Sequence, residues 1–289
     1  MTGRSFLKMH GLGNDFVIID AREEPFRPSP AQAQRIADRH RGVGFDQLIL
    51  IERASSGDAA AFARFLNSDG SESGACGNGT RCLAWLLMMQ ADSHAVTIET
   101  AGGLLACELL DDGRVRVDMG EAHLGWQEVP LAEERDTLHL GIELEELSDP
   151  VGVSMGNPHA VFFVEDAEEV ELEELGPELE HHPLFPERAN IGVASLIGKD
   201  ALRLRVWERG AGITLACGSG ACAAAVAAIR RGLTNRKVSI TVDGSLDEET
   251  GEDLEIEWRK SDGHVLMTGP YALSYQGRLA PSLLGELEE

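Results

Sequence analysis

The chain repeats itself. Residues 75–87 read ACGNGTRCLAWLL and residues 216–228 read ACGSGACAAAVAA, so Cys217 follows Cys76 by 141 positions. Each copy is Ala-Cys-Gly-polar-Gly running into an apolar stretch of helical character. Two fainter echoes keep the same order. Gly13-Asn14 leads into FVIID as Gly156-Asn157 leads into AVFFV, and Gly44 precedes Gln47-Leu48-Ile49 as Gly192 precedes Ser195-Leu196-Ile197. Three echoes at similar separations predict two copies of one α/β unit, each of roughly 120 to 145 residues, an ordinary domain size.

Between the echoes the pattern is mostly strand. Runs of β-branched and apolar residues, several with a period of two, predict strands over 16–20, 47–52, 95–99, 115–118, 160–164, 202–207, 238–242, 253–258, 265–268 and 271–275. Residues 31–40 read as an amphipathic helix. Residues 167–179 read as a second helix whose many glutamates form a solvated face. The acidic, weakly patterned stretch from Gly125 to Asp149 reads as variable surface.

The helices that follow the two cysteines differ from these. Residues 221–229 are apolar on every side, which marks a buried helix, and Arg230, Arg231 and Gly232 close it. The first copy runs similarly from Thr80 to about Gln90. Each is expected to be the central rod of its domain, wrapped by strands. A cysteine at the N-terminus of such a rod meets unpaired backbone N–H groups and a partial positive charge, so a lowered thiol pKa is expected for Cys76 and Cys217. The same N–H groups suit a carboxylate. Cys82, Cys107 and Cys222 stand inside a helix or near a strand and read as core residues.

Composition narrows the chemistry. Five cysteines with no CxxC pair argue against a disulfide framework and a zinc site, and no metal site is expected. A formal charge of −24 makes nucleic acid and anionic membrane unlikely partners. The first 20 residues lack a long apolar core, and nowhere do 18 apolar residues run together, so a cytoplasmic location is expected. Two matched thiols suit stereoinversion: one thiolate removes a proton from one face of a carbon while a thiol returns one on the other. Asn14, Gln47, Asn67, Asn157 and Asn190 lie in turns or at strand ends, where they either bond local backbone or bind a ligand. Glu208-Arg209 could hold the ammonium and carboxylate of an amino acid, and His159 could exchange a proton with a thiol.

The segments KMHGLGNDFVIID (8–20), GVGFDQ (42–47), NSDGSESGACGNGTRC (67–82), GNPHAVFF (156–163), PERANIG (186–192) and WERGAGITLACGSGACAA (207–224) resemble the diaminopimelate epimerase family. MTGPYALSY (267–275) extends the likeness over nearly the whole chain. The resemblance implies an α/β (α+β) fold of two pseudo-symmetric domains, each a mostly antiparallel sheet around a central buried helix. It places the first domain at 1–118 with 266–278 returning to it, and the second at 119–265. It implies an enzyme without cofactor, interconverting LL- and meso-diaminopimelate for lysine and peptidoglycan synthesis, usually as a homodimer. Carried over by position, Cys76 and Cys217 are the acid and base, and His159 and Glu208 tune them. Gly77, Asn78, Gly218 and Ser219 hold the reacting carboxylate, while Asn14, Gln47, Asn67, Asn157, Asn190, Glu208 and Arg209 bind the substrate. Ile213 and Phe45 depart from the family pattern. An epimerase of another amino acid, of the histidine or proline type, is the alternative within this fold. A thiol redox or metal-binding module is the alternative outside it.

Overall fold

A computed structural model describes residues 3–74, 76–246 and 251–285, so Ala75 of the first motif lies outside the described residues. The chain divides into two compact units, Met1–Val117 with Pro270–Glu289, and Asp118–Gly269.

Unit one opens with strands β1 (Ser5–Gly11) and β2 (Asn14–Asp20), an antiparallel hairpin in which Gly11 faces Asn14. Its two-residue turn has Leu12 at φ 55° and Gly13 at φ 78°. Left-handed backbone at both positions is the twist that suits a tight hairpin, and it delivers Asn14 to the strand end. Helix α1 (Pro30–Ala37) follows, capped by Ser29 with Gln32 bonding back to it. Then come β3 (Gln47–Glu52), β4 (Ala61–Asn67), β5 (Glu72–Ser73), α2 (Gly77–Ala91), β6 (Ala95–Thr100), β7 (Gly103–Leu109) and β8 (Val115–Glu121). Strand β3 runs parallel to β2 and antiparallel to β4, β6 lies parallel to β4, and β6, β7 and the start of β8 form a meander. Strand β19 (Ala272–Arg278) returns to pair with β1. Helix α2 packs against β1, β2, β6 and β7.

Unit two repeats this plan. After the short hairpin β9 (Glu143–Leu144) and β10 (Leu147–Ser148) come β11 (Val151–Ser154), β12 (Pro158–Phe163), α3 (Leu172–Glu180), β13 (Asn190–Gly198), β14 (Ala201–Glu208) and β15 (Gly212–Ile213). Helix α4 (Gly218–Arg230) and strands β16 (Lys237–Thr241), β17 (Leu254–Trp258) and β18 (His264–Gly269) complete it. The pairings match in sense one for one: β11–β12 antiparallel, β12–β13 parallel, β13–β14 antiparallel, β14–β16 parallel, then an antiparallel run to β18. Helix α4 is buried along almost its whole length, from Gly218 to Ala228, with strands β11 to β14 and β16 to β18 around it. Mixed α/β architecture with a helix inside each sheet is what the sequence predicts.

Four local expectations need correction. The third echo was aligned wrongly. Phe16 faces Gln47 in unit one and His159 faces Asn190 in unit two, so the counterpart of Gln47 is Asn190, not Ser195. Register follows where the strand begins, and Ser195-Leu196-Ile197 lies further along β13. The helices begin at Gly77 and Gly218, three residues before the apolar run, because the glycines serve packing rather than turning. A Cβ on Gly79 would stand 2.9 Å from Ile49 Cδ1 and 3.1 Å from Phe65 Cε1. The glutamate-rich stretch breaks into a 3-10 turn (Ala167–Glu169) and α3, and Glu180, the last residue of α3, is buried. Finally, the 125–149 stretch is not all surface: Val129, Leu131, Leu140, Ile142 and Leu147 are buried in a core with Phe162, Leu172, Leu179 and Ile191. Their spacing follows a loop and has no period, so no pattern announces them.

Candidate active site

In unit one Cys76 is the N-cap of α2, held in extended backbone at φ −144°. Its sulfur accepts from Gly79 N–H at 3.4 Å and lies 4.0 Å from Asn14 Oδ1. Asn14 Oδ1 also accepts from Asn78 Nδ2 at 3.2 Å, and Asn78 Oδ1 accepts from the buried Arg81 guanidinium at 3.0 Å. The turn of the β1–β2 hairpin and the first turn of α2 are thereby tied together through three side chains. Gln47 and Asn67 form a second pair, Nε2 donating to Oδ1 at 2.9 Å, on facing positions of β3 and β4. Gln47 Oε1 is buried with no hydrogen-bond partner among the described residues. A buried acceptor left without a donor costs about 1–3 kcal/mol, and a ligand ammonium would satisfy it.

In unit two Cys217 is the N-cap of α4, with backbone close to that of Cys76 (φ −118°). Its sulfur stands 3.6 Å from Ser219 Oγ. Ser219 Oγ in turn accepts from Asn157 Nδ2 at 3.3 Å and lies 3.2 Å from His159 Nε2. His159 therefore reaches the thiol through a hydroxyl. Asn190 Oδ1 accepts from Arg209 N–H at 2.9 Å while its Nδ2 donates to Pro158 O, so this asparagine joins the strand carrying His159 to the turn carrying Glu208 and Arg209. Gly77 and Gly218 open their helices, where first-turn N–H groups have no intrahelical acceptor.

The electrostatics revise one expectation. Burial pushes the Cys217 thiol well above its ordinary pKa, and the neighbouring Glu208 carboxylate pushes the same way; bonds from Ser219 and the Gly220 N–H oppose them and lose. The helix terminus thus does not give Cys217 a lowered pKa in this state, because desolvation outweighs it. Burial and then the Arg209 charge pull His159 down to about 3, so its imidazole is neutral. Cys82 is fully buried and pushed up to about 12, which fits a core thiol. Cys107 and Cys222 are buried as well. Among the described residues no cluster of His, Cys, Asp and Glu could hold a metal ion.

Three contributors escaped the sequence reading. Thr214 Oγ1 donates to Glu208 Oε1. The Glu180 carboxylate accepts from Trp207 Nε1 at 2.7 Å and Gly210 N–H at 3.1 Å, and pairs with Arg188, anchoring the 208–212 turn. Asp46 accepts from Asn14. Glu180 and Asp46 meet partners from distant segments, and Thr214 meets Glu208 only because the chain turns between them. The two departures are structural: Phe45 is buried in a core with Ile36 and Leu48, and Ile213 faces Trp207 across β14 and β15.

The diaminopimelate epimerase family model matches residues 6–125 and 151–274, which include both cysteine turns. The chain belongs to the diaminopimelate epimerase family. A diaminopimelate epimerase from Acidiphilium cryptum is 57% identical over 281 residues, covering 97% of this chain and 98% of its own. One from Rhodospirillum centenum is also 57% identical, over 97% and 94% of the two chains. Like them, this member of the family is an isomerase. The fold recurs at much lower identity. The solved structure of a probable proline racemase from Agrobacterium radiobacter matches at TM-score 0.69 and 16% identity, over 99% of this chain and 96% of that one. A phenazine biosynthesis protein of the PhzF family from Bacillus anthracis matches at 0.67 and 16%, over 97% and 100%. The family match skips residues 126–150, the aperiodic stretch that helps to fill the core of unit two.

Proposed function

We infer that this epimerase interconverts LL- and meso-diaminopimelate by two-base proton exchange, with Cys76 and Cys217 as the acid–base pair. The observation that carries the reading is the equivalence of the two cysteines: each is the N-cap of the buried helix of its unit, at the same point of the same topology. One sulfur, as thiolate, takes the α-hydrogen; the C–H bond breaks, an S–H bond forms, and the electron pair spreads toward the α-carboxylate. Helix N-termini at Gly77-Asn78 and Gly218-Ser219 favour that developing charge. The other sulfur, as thiol, gives its proton to the opposite face. Burial and the Glu208 carboxylate both favour the thiol form of Cys217 in this state. The reverse direction exchanges the roles.

Asn14, Gln47, Asn67, Asn157, Asn190, Glu208 and Arg209 bind the substrate in this reading, with the unsatisfied Gln47 oxygen as one acceptor for an ammonium. No cofactor is required, because a thiol pair supplies both proton steps. The family resemblance further supports a homodimer in the cytoplasm, which sedimentation of the purified protein tests. Incubation with LL-diaminopimelate in deuterated water, without added pyridoxal phosphate, should place deuterium at the α-carbon. Absence of label would overturn the reading, and label in proline or histidine instead would reassign the substrate.

A further inference from the structure

A chain of charged and amide groups stands behind Cys76 in unit one, and the mechanism above makes no use of most of it. Asn14 Nδ2 donates to Asp46 Oδ2 at 2.8 Å, and Asp15 N–H donates to the same oxygen at 3.0 Å. Asp46 Oδ1 accepts from Arg39 Nη2 at 2.7 Å. The Arg39 guanidinium also forks onto Asp15 at 2.9 and 2.8 Å, and Lys8, itself buried, bonds both Asp15 and the carbonyl of Gly44. On the other side Arg81 donates to Asn78 and Asn78 donates to Asn14. Every hydrogen bond in the series Arg81, Asn78, Asn14, Asp46 points the same way, from a cation to an anion.

Such a series fixes amide orientation. An asparagine side chain is nearly symmetric in shape, and only its partners decide which end is oxygen. Asn78 sets the oxygen end of Asn14 and Asp46 sets the nitrogen end. We propose that Asp46 is a positioning residue for the epimerase reaction: it locks the Asn14 amide with Oδ1 turned to Cys76 Sγ, so that Cys76 meets an acceptor for its S–H. Arg39 holds Asp46 in place, and Asp15, itself bonded by Lys8, holds Arg39. The arrangement belongs to one half only. The residue before Asn190, at the place matching Asp46, is Ala189, and there Asn157 donates to Ser219 instead. The two thiols therefore have different neighbours: a carboxylate-anchored amide for Cys76, the Ser219 hydroxyl and the Glu208 carboxylate for Cys217.

The proposal rests on the acid–base reading of Cys76, but its test needs no substrate. Cys76 is the one cysteine of the five that is not buried, so brief treatment with iodoacetamide, read by mass spectrometry of the Cys76 peptide, reports its thiolate against pH. The charged groups of the network around Asn14 are Asp46, Asp15, Arg39, Lys8 and Arg81, and single variants at Asp46 keep the other four residues. Without a carboxylate at 46 the Asn14 amide is oriented by Asn78 alone, so a fraction of the molecules turn its nitrogen to the sulfur, which favours the thiolate. Asp46→Ala should lower the pH of half-maximal alkylation by half a unit or more. Asp46→Asn, whose side-chain oxygen can still accept from Asn14, should stay within about 0.2 units of the parent. An unmoved Asp46→Ala profile overturns the proposal, and so does an Asp46→Asn profile that falls equally far, since charge rather than orientation would then be at work. If Asp46→Ala lacks the parent circular-dichroism spectrum, Asp46→Val, which also has no acceptor, carries the same test. Missing deuterium uptake would count against the epimerase reading alone and leave the alkylation result standing.

Discussion

The two cysteines share a place in the fold but not an environment. Cys217 is buried beside a carboxylate; Cys76 is half-buried beside an amide. Replacing either by serine should lower turnover by roughly 10²–10⁴-fold, the usual worth of a positioned acid or base, with deuterium uptake as the measurement. The neutral His159 carries a stability consequence with a definite sign. Its folded pKa is pulled down to about 3, while an unfolded histidine takes up its proton near 6.5. The unfolded state binds more protons between those values, so stability is complete above about pH 6.5 and is lost as pH falls through that window. His159→Gln should show a smaller difference in urea unfolding free energy between pH 7 and pH 4.5 than the parent; an equal difference would refute this. At this scale the sequence revealed the residues that sit in Gly- or Pro-marked turns, such as Asn14, Asn157 and both cysteines. It hid Asp46, Glu180 and Thr214, whose roles depend on partners brought up by folding.

At the scale of elements, close approach of helix to sheet decides where glycine is required. Gly79→Ala would push a methyl to 2.9 Å from Ile49 Cδ1, and Gly176→Ala would place one 2.6 Å from the Trp207 ring. Overpacking of this kind costs about 1–3 kcal/mol. Both variants should unfold at lower denaturant, and Gly176→Ala should also raise KM, because Trp207 and Glu180 together hold the turn that bears Arg209. Parent-like KM for that variant would show the anchor to be dispensable. Strands marked by a continuous apolar run, such as β2 and β3, or by a period of two, such as β16, were readable in advance, as was the all-apolar helix α4. Strands β1, β4, β7 and β13 went unread: β4 and β7 alternate buried and more exposed positions but carry alanine and cysteine in place of β-branched residues, while β1 and β13 have no regular alternation. The loop core at Val129 to Leu147 was missed for the same reason: burial without a period leaves no mark in the sequence.

Over the whole molecule, a formal charge of −24 opposes compaction. Monovalent salt screens exposed charges over about 10 Å at 0.1 M, so raising it from about 20 to 200 mM should raise the melting temperature by a few degrees; a flat profile would show the acidic groups to be locally neutralised. One feature of the plan reaches beyond stability. Strand β19 lies against β1, with Ser5 opposite Arg278 and Leu279 N–H bonded to Arg4 O at 2.8 Å. Unit two is contiguous in the chain, whereas unit one is closed by a strand that follows the whole of unit two. The same adjacency makes the gene a natural candidate for circular permutation, with β19 spliced ahead of β1 and new ends opened at an exposed hairpin.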